Sequence, residues 1–162
     1  MASAALPAPN GTWKAVLVGG GIAGTIDISY AIIANLAKVP PARVLQSVAS
    51  GLLGSDAFDG GVATVALGLL LHFTMTCIMA LIFIWAARNI AIVRNNLLLA
   101  GPAYGAAIYF VMRWIVVPLS RFPYDLRHVR PLELAVHIFG VGLVIALAAR
   151  RFAAVAPSAA NP

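Results

Sequence analysis

Apolar residues fill four long stretches of this chain, and polar residues gather in the short gaps between them. The stretches cover about residues 13–37, 61–87, 97–119 and 131–149. Each reaches the roughly 20 residues that a helix needs to cross the hydrocarbon of a bilayer. Lys38-Val39-Pro40-Pro41 ends the first, and Arg88 to Asn96 form a polar loop after the second. Ser120 to Arg130 form the most charged loop, after the third, and Arg150-Arg151 stops the fourth. Thr12 is placed to cap the first span, and Trp13 with Lys14 suits a membrane interface. Asp59 is available to cap the second span, Pro102 and Pro118 predict a bend in the third, and Pro131 starts the fourth.

Residues 41–54 read differently. Val44, Leu45, Val48, Leu52 and Leu53 cluster on one helical face, with Arg43, Gln46, Ser47 and Ser50 on the others. Pro41 suits a first turn and Gly54 a C-terminal cap. The segment is too short to span. The expected fold is all-α: a four-helix transmembrane bundle with a short amphipathic or re-entrant helix between spans one and two. Residues 12–151 form the single transmembrane domain, between a disordered leader (1–11) and a flexible tail (152–162). The N-terminus lacks the layout of a signal peptide, so the first span is expected to be retained.

Composition agrees with the pattern. The chain is 62% hydrophobic and 10% charged, where soluble domains average about 25% charged. Net charge is +6, from 11 Lys+Arg against 5 Asp+Glu. The cations flank apolar runs without interleaved aromatics, which points to lipid headgroups and not to nucleic acid. Four spans put both termini on one side, with Lys14, Arg88, Arg94, Arg150 and Arg151. Lys38, Arg43, Arg121, Arg127 and Arg130 lie on the other side, with Asp56, Asp59 and Asp125. The Lys/Arg count is a tie, the acids tip it, and the termini are expected to be cytoplasmic. Cys77 stands alone inside an apolar run, which excludes an intrachain disulfide or a cysteine metal cluster.

Val16 to Gly24 contains G-x-G-x-x-G after a short apolar run. A dinucleotide site would need a following strand that ends in an acid; here Arg43-Val44-Leu45 leads to Gln46, and no strand–helix alternation follows. The glycines fit a membrane helix instead. Gly20, Gly24, Asp27 and Ala31 share one helical face, which allows close helix approach and turns Asp27 away from lipid.

Every span carries an ionisable residue on such a stripe. Gly68, His72 and Thr76 align in the second; Gly101, Gly105, Tyr109 and Arg113 in the third; Glu133, His137 and Gly140 in the fourth. Counted from the span ends opposite the termini, Asp27 and His72 lie about ten and eleven residues deep, with Arg113, His137 and Glu133 within about six. Asp27–His72 and Arg113–Glu133 are therefore the expected pairs, with Tyr30 and Tyr109 bridging the layers. Such groups serve as interhelical glue or as a proton or substrate path. Haem ligation by His72 and His137 is a third reading that needs matching depth. No G-x-S-x-G or H-E-x-x-H occurs, so no catalytic residue, metal site or cofactor is assigned.

Gly20 to Ala31, Arg43 to Gly54, His72-Phe73, Tyr109-Phe110-Val111-Met112 and Val116-Val117-Pro118-Leu119-Ser120 together cover most of spans one to three. In these pieces the chain resembles a group of small bacterial inner-membrane proteins with four predicted spans. The resemblance implies a location in the bacterial cytoplasmic membrane, and it implies no activity. The expected role is a non-enzymatic subunit or accessory protein, as a homo-oligomer or in a larger membrane complex. The alternatives are a small transporter or proton-linked carrier using Asp27 and His72, and an intramembrane enzyme or haem-binding protein.

Overall fold

The computed structural model describes residues 9–153 and residue 155. Among them the chain forms helices and no strand. The helices are α1 (Pro9–Asn35), α2 (Pro41–Leu53), α3 (Gly61–Asn89), α4 (Ala91–Asn95), α5 (Leu97–Leu119) and α6 (Pro131–Phe152). Four of them, α1, α3, α5 and α6, are long and apolar enough to cross a membrane.

Several boundaries differ from the expected ones. α1 begins at Pro9, so residues 9–11 are helical and not part of a disordered leader, and Thr12 lies inside the helix. Residues 1–8 of that leader lie outside the described residues, as does most of the tail after Phe152. The N-cap of α3 is Gly60, and no side chain caps it, so Asp59 does not. Gly54 closes α2 at φ +68° and Gly61 opens α3 at φ +57°. Glycine reaches that left-handed region without the steric cost of a Cβ.

α1 packs against α3 on one side and α6 on the other, and α5 packs on α6. The Tyr104 hydroxyl donates to the Met79 carbonyl at 2.9 Å and ties α5 back to α3. The half of the bundle near the termini is apolar and tightly filled, by Ala15, Ala23, Ala80, Phe83, Ile84, Ile145 and Ala146. Small side chains let the backbones approach, which is how helices hold one another in lipid. The outer faces are apolar too: Leu17, Leu70 and Leu99 stand exposed, and Trp13 and Trp85 mark one end and Trp114 the other. This is a multi-pass membrane protein.

α5 and α6 each contain wide π turns, at Met112–Val116 and Val136–Leu143. Pro118 has no N–H to offer Trp114. The turn before it widens, and the Val117 N–H donates to the Met112 carbonyl, five residues back. The expected bend near Pro118 takes this form, whereas Pro102 sits in regular helix.

α2 lies against the first turns of α3, and its buried side takes residues from both faces of the pattern. Val44, Gln46, Ala49 and Ser50 are buried, and Leu52 is exposed. The Gln46 amide donates to the Gly61 carbonyl and to Thr64 Oγ1, each at 3.3 Å. In lipid the polar face gains by turning to protein and the apolar face loses nothing by turning out. The Arg121 N–H donates to the Gly51 carbonyl at 2.9 Å. α2 therefore joins the loop between α5 and α6 at the end of the bundle away from the termini.

Candidate functional site

The polar side chains collect in the half of the bundle near that loop. Arg113 sits in the π turn of α5 and is 4% exposed. Its Nη2 donates to Glu133 Oε2 at 2.7 Å. Its Nη1 donates to the carbonyls of Leu126 and His128, and its Nε is buried with no partner among the described residues. The guanidinium lies 5.0 Å from the Tyr109 ring centre. One side chain thus fastens α5 to the start of α6 and to the loop between them. Arg130 adds a second contact to Glu133 at 3.4 Å, and its backbone N–H donates to the Tyr109 hydroxyl at 2.7 Å. Farther out, the Arg127 guanidinium and N–H bond the exposed Asp125 and hold its carboxyl below the usual carboxylate range.

His137 stands one turn deeper. Its Nδ1 donates to the Glu133 carbonyl at 3.0 Å, and the Tyr109 ring meets its imidazole edge-on at 5.3 Å. Asp27 Oδ1 lies 3.6 Å from the same Nδ1. The Asp27 carboxylate makes no hydrogen bond among the described residues and remains 22% exposed. Two arginines on Glu133 leave positive charge in this half. Asp27 is the one other carboxylate within a span.

The Arg113–Glu133 pair is therefore present, and the Asp27–His72 pair is not. His72 is buried, and its Nε2 donates to the Gly24 carbonyl of α1 at 2.9 Å. Asp27 faces His137 because α1 ends at Asn35, which places Asp27 eight residues from that end. His137 lies six residues inside α6, a closer match than His72, eleven inside α3. Tyr30 is half-buried and its hydroxyl makes no hydrogen bond among the described residues, so it bridges no layer. Tyr109 bonds the loop and not a deeper acid. The two imidazoles of the haem reading each face a backbone carbonyl, of different helices.

The glycines on the stripes all lie where helices touch. A side chain at Gly20 would strike Cys77, and one at Gly24 would strike Thr76 and Phe73. Gly68 lies under the Leu45 carbonyl of α2, Gly101 and Gly105 lie on α6, and Gly140 faces Ile26 of α1. The glycine of α6 that meets Gly101 and Gly105 is Gly142, which the sequence reading did not single out. A π turn sets residues five apart on one face, so Gly142 joins His137 there, a spacing that a 3.6-residue count misses. Arg130 and Gln46 were missed as site residues for a simpler reason: each reads as an ordinary solvent-facing residue.

Two surface cavities lie away from this layer. One of about 240 Å³ is lined by Trp13, Val16, Thr74, Cys77, Ile78 and Leu81. The other, about 300 Å³, lies between the start of α5 and Arg150. Among the described residues no three His, Cys, Asp or Glu side chains converge as a metal site. No protein-family model, no curated protein and no solved structure matches the chain.

Proposed function

We propose that this protein is a non-enzymatic subunit or accessory protein of a larger membrane assembly. It sits in a bacterial cytoplasmic membrane with both termini on the cytoplasmic side, and its polar layer acts as interhelical glue. The observation that carries this reading is the outward face of α1. Gly21, Thr25 and Ser29 recur every four residues there. Thr25 and Ser29 are exposed, and a side chain at Gly21 would meet nothing within 4 Å. Thr25 folds its hydroxyl onto the Gly21 carbonyl at 2.8 Å, which keeps the stripe shallow. The inward glycines of the same helix, Gly20 and Gly24, seat α3 by the same spacing. Lipid tails gain little from such a groove, whereas another helix gains close contact. The partner is a second copy or a different membrane protein.

Gly21→Leu with Thr25→Leu fills the groove without touching the bundle. In mild detergent the complex extracted from native membranes is expected to shrink to the single chain, with the monomer's thermal stability unchanged. A complex of unchanged size would overturn the subunit reading.

A second reading, a proton-linked carrier, is favoured by the unbonded Asp27 carboxylate and by the run from Asp27 through His137 to Glu133 and the loop. Asn cannot titrate but keeps the shape of Asp. On this reading Asp27→Asn abolishes pH-dependent flux in reconstituted vesicles while the protein stays folded. On the glue reading the same variant has the wild-type flux and loses little stability. A folded Asn variant with wild-type flux removes the carrier reading at this residue.

A further inference from the structure

We propose that the cleft beside α4 binds the phosphate of an anionic phospholipid. The cleft encloses about 300 Å³ at the end of the bundle that carries the termini. Arg94, Asn95, Asn96 and the first residues of α5, Leu97, Leu98 and Leu99, line it together with Arg150 of α6.

Three observations converge on this ligand. The first is unopposed charge. The termini end holds Lys14, Arg88, Arg94, Arg150 and Arg151, and all five acids of the chain, Asp27, Asp56, Asp59, Asp125 and Glu133, lie elsewhere. At the loop end arginines find carboxylates, as Arg113 and Arg130 find Glu133 and Arg127 finds Asp125. Arg150 is exposed with no ion pair or hydrogen bond among the described residues, and Arg94 spends only Nη1, on the Arg88 carbonyl at 3.1 Å. A planar guanidinium fork matches phosphate oxygens.

The second is the start of α5. No side chain caps it, because the Asn96 amide donates to the Ile92 carbonyl instead. Leu97 to Leu99, which carry the first N–H groups of this helix, line the same cleft. The Leu99 N–H donates to the Asn96 carbonyl at 3.0 Å, which leaves those of Leu97 and Leu98 to favour an anion.

The third selects a lipid over a soluble phosphate. Leu98 and Leu99, 51% and 74% exposed, continue from the cleft onto the lipid face of α5. A headgroup held between the arginines lays its acyl chains along them.

The test uses the whole protein, delipidated in neutral detergent and titrated with phosphatidylglycerol, phosphatidylcholine or inorganic phosphate. Retained lipid is read by native mass spectrometry and stability by thermal melting. Phosphatidylglycerol is expected to bind and raise the melting temperature, and the other two are not. Arg150→Gln should weaken that binding about fivefold, and Arg94→Gln added to it by a similar factor again. Arg127→Gln, in the exposed loop at the opposite end, should leave it unchanged. Arg150 makes no contact that folding needs, so its variant remains informative even where the double variant is unstable. Equal binding of both lipids, equal weakening by Arg127→Gln and Arg150→Gln, or no weakening by Arg150→Gln would overturn the site. Stabilisation by inorganic phosphate as large as that by phosphatidylglycerol would overturn the lipid assignment.

Discussion

Removing the guanidinium of Arg113 leaves the Glu133 carboxylate with one weaker partner and frees the loop carbonyls of Leu126 and His128. Arg113→Met is therefore expected to destabilise the bundle by about 3 kcal/mol, the range for breaking a buried pair by removing one member. Unfolding in mixed detergent micelles measures this. Adding Glu133→Leu should recover part of the loss, because an unpaired buried charge costs more than a missing pair. This pair was legible in the sequence because both residues stand a few positions inside their spans, at ends where the chain order already brings α5 and α6 together. Asp27 was legible as an inward-facing acid but not as a neighbour of His137. A count from span ends carries the error of each end, and α1 stops two residues earlier than its apolar pattern does.

At the scale of elements, α5 and α6 meet backbone to backbone through Gly101, Gly105 and Gly142. Any side chain at Gly105 would run into the His137 carbonyl. Gly105→Leu should force the helices apart, costing about 1–3 kcal/mol as an overpacked contact and more where the Arg113 anchorage also slips. Gly21→Leu, on the open face of α1, should cost the isolated chain almost nothing. Melting of the two variants side by side checks the contrast. The number, order and apolar faces of the spans were readable because lipid requires long uninterrupted runs. The π turns were not, since a widened turn leaves no compositional mark beyond Pro118. The pattern of α2 left its inward side open, because amphipathicity shows that two faces differ and not which of them meets protein; Val44 and Gln46, from different faces, are both buried.

On the scale of the molecule, the two ends of the bundle differ in kind, one closed by small apolar residues and one by a charged loop and α2. Cysteines at Lys38, Ser55, Arg127 and Arg151, in a Cys77→Ala background, should label from two sides: Lys38, Ser55 and Arg127 together, Arg151 from the other. Labelling of Lys38 with Arg151, apart from Ser55, would mean that α2 crosses the bilayer. The charge placement has an electrical consequence. Five unopposed cations stand at the termini end. At the other end Lys38, Arg43, Arg113, Arg121, Arg127 and Arg130 face Asp56, Asp59, Asp125 and Glu133, which leaves a net charge of only +2. Turning the chain over would move three net charges across the membrane. At about 2.3 kcal/mol per charge per 100 mV, a potential of that size, negative inside, would favour the proposed orientation, termini inside, by about 7 kcal/mol. The Lys/Arg tie between the two sides is thus broken by the loop acids through the membrane potential, and collapsing that potential during insertion should raise the fraction of inverted chains.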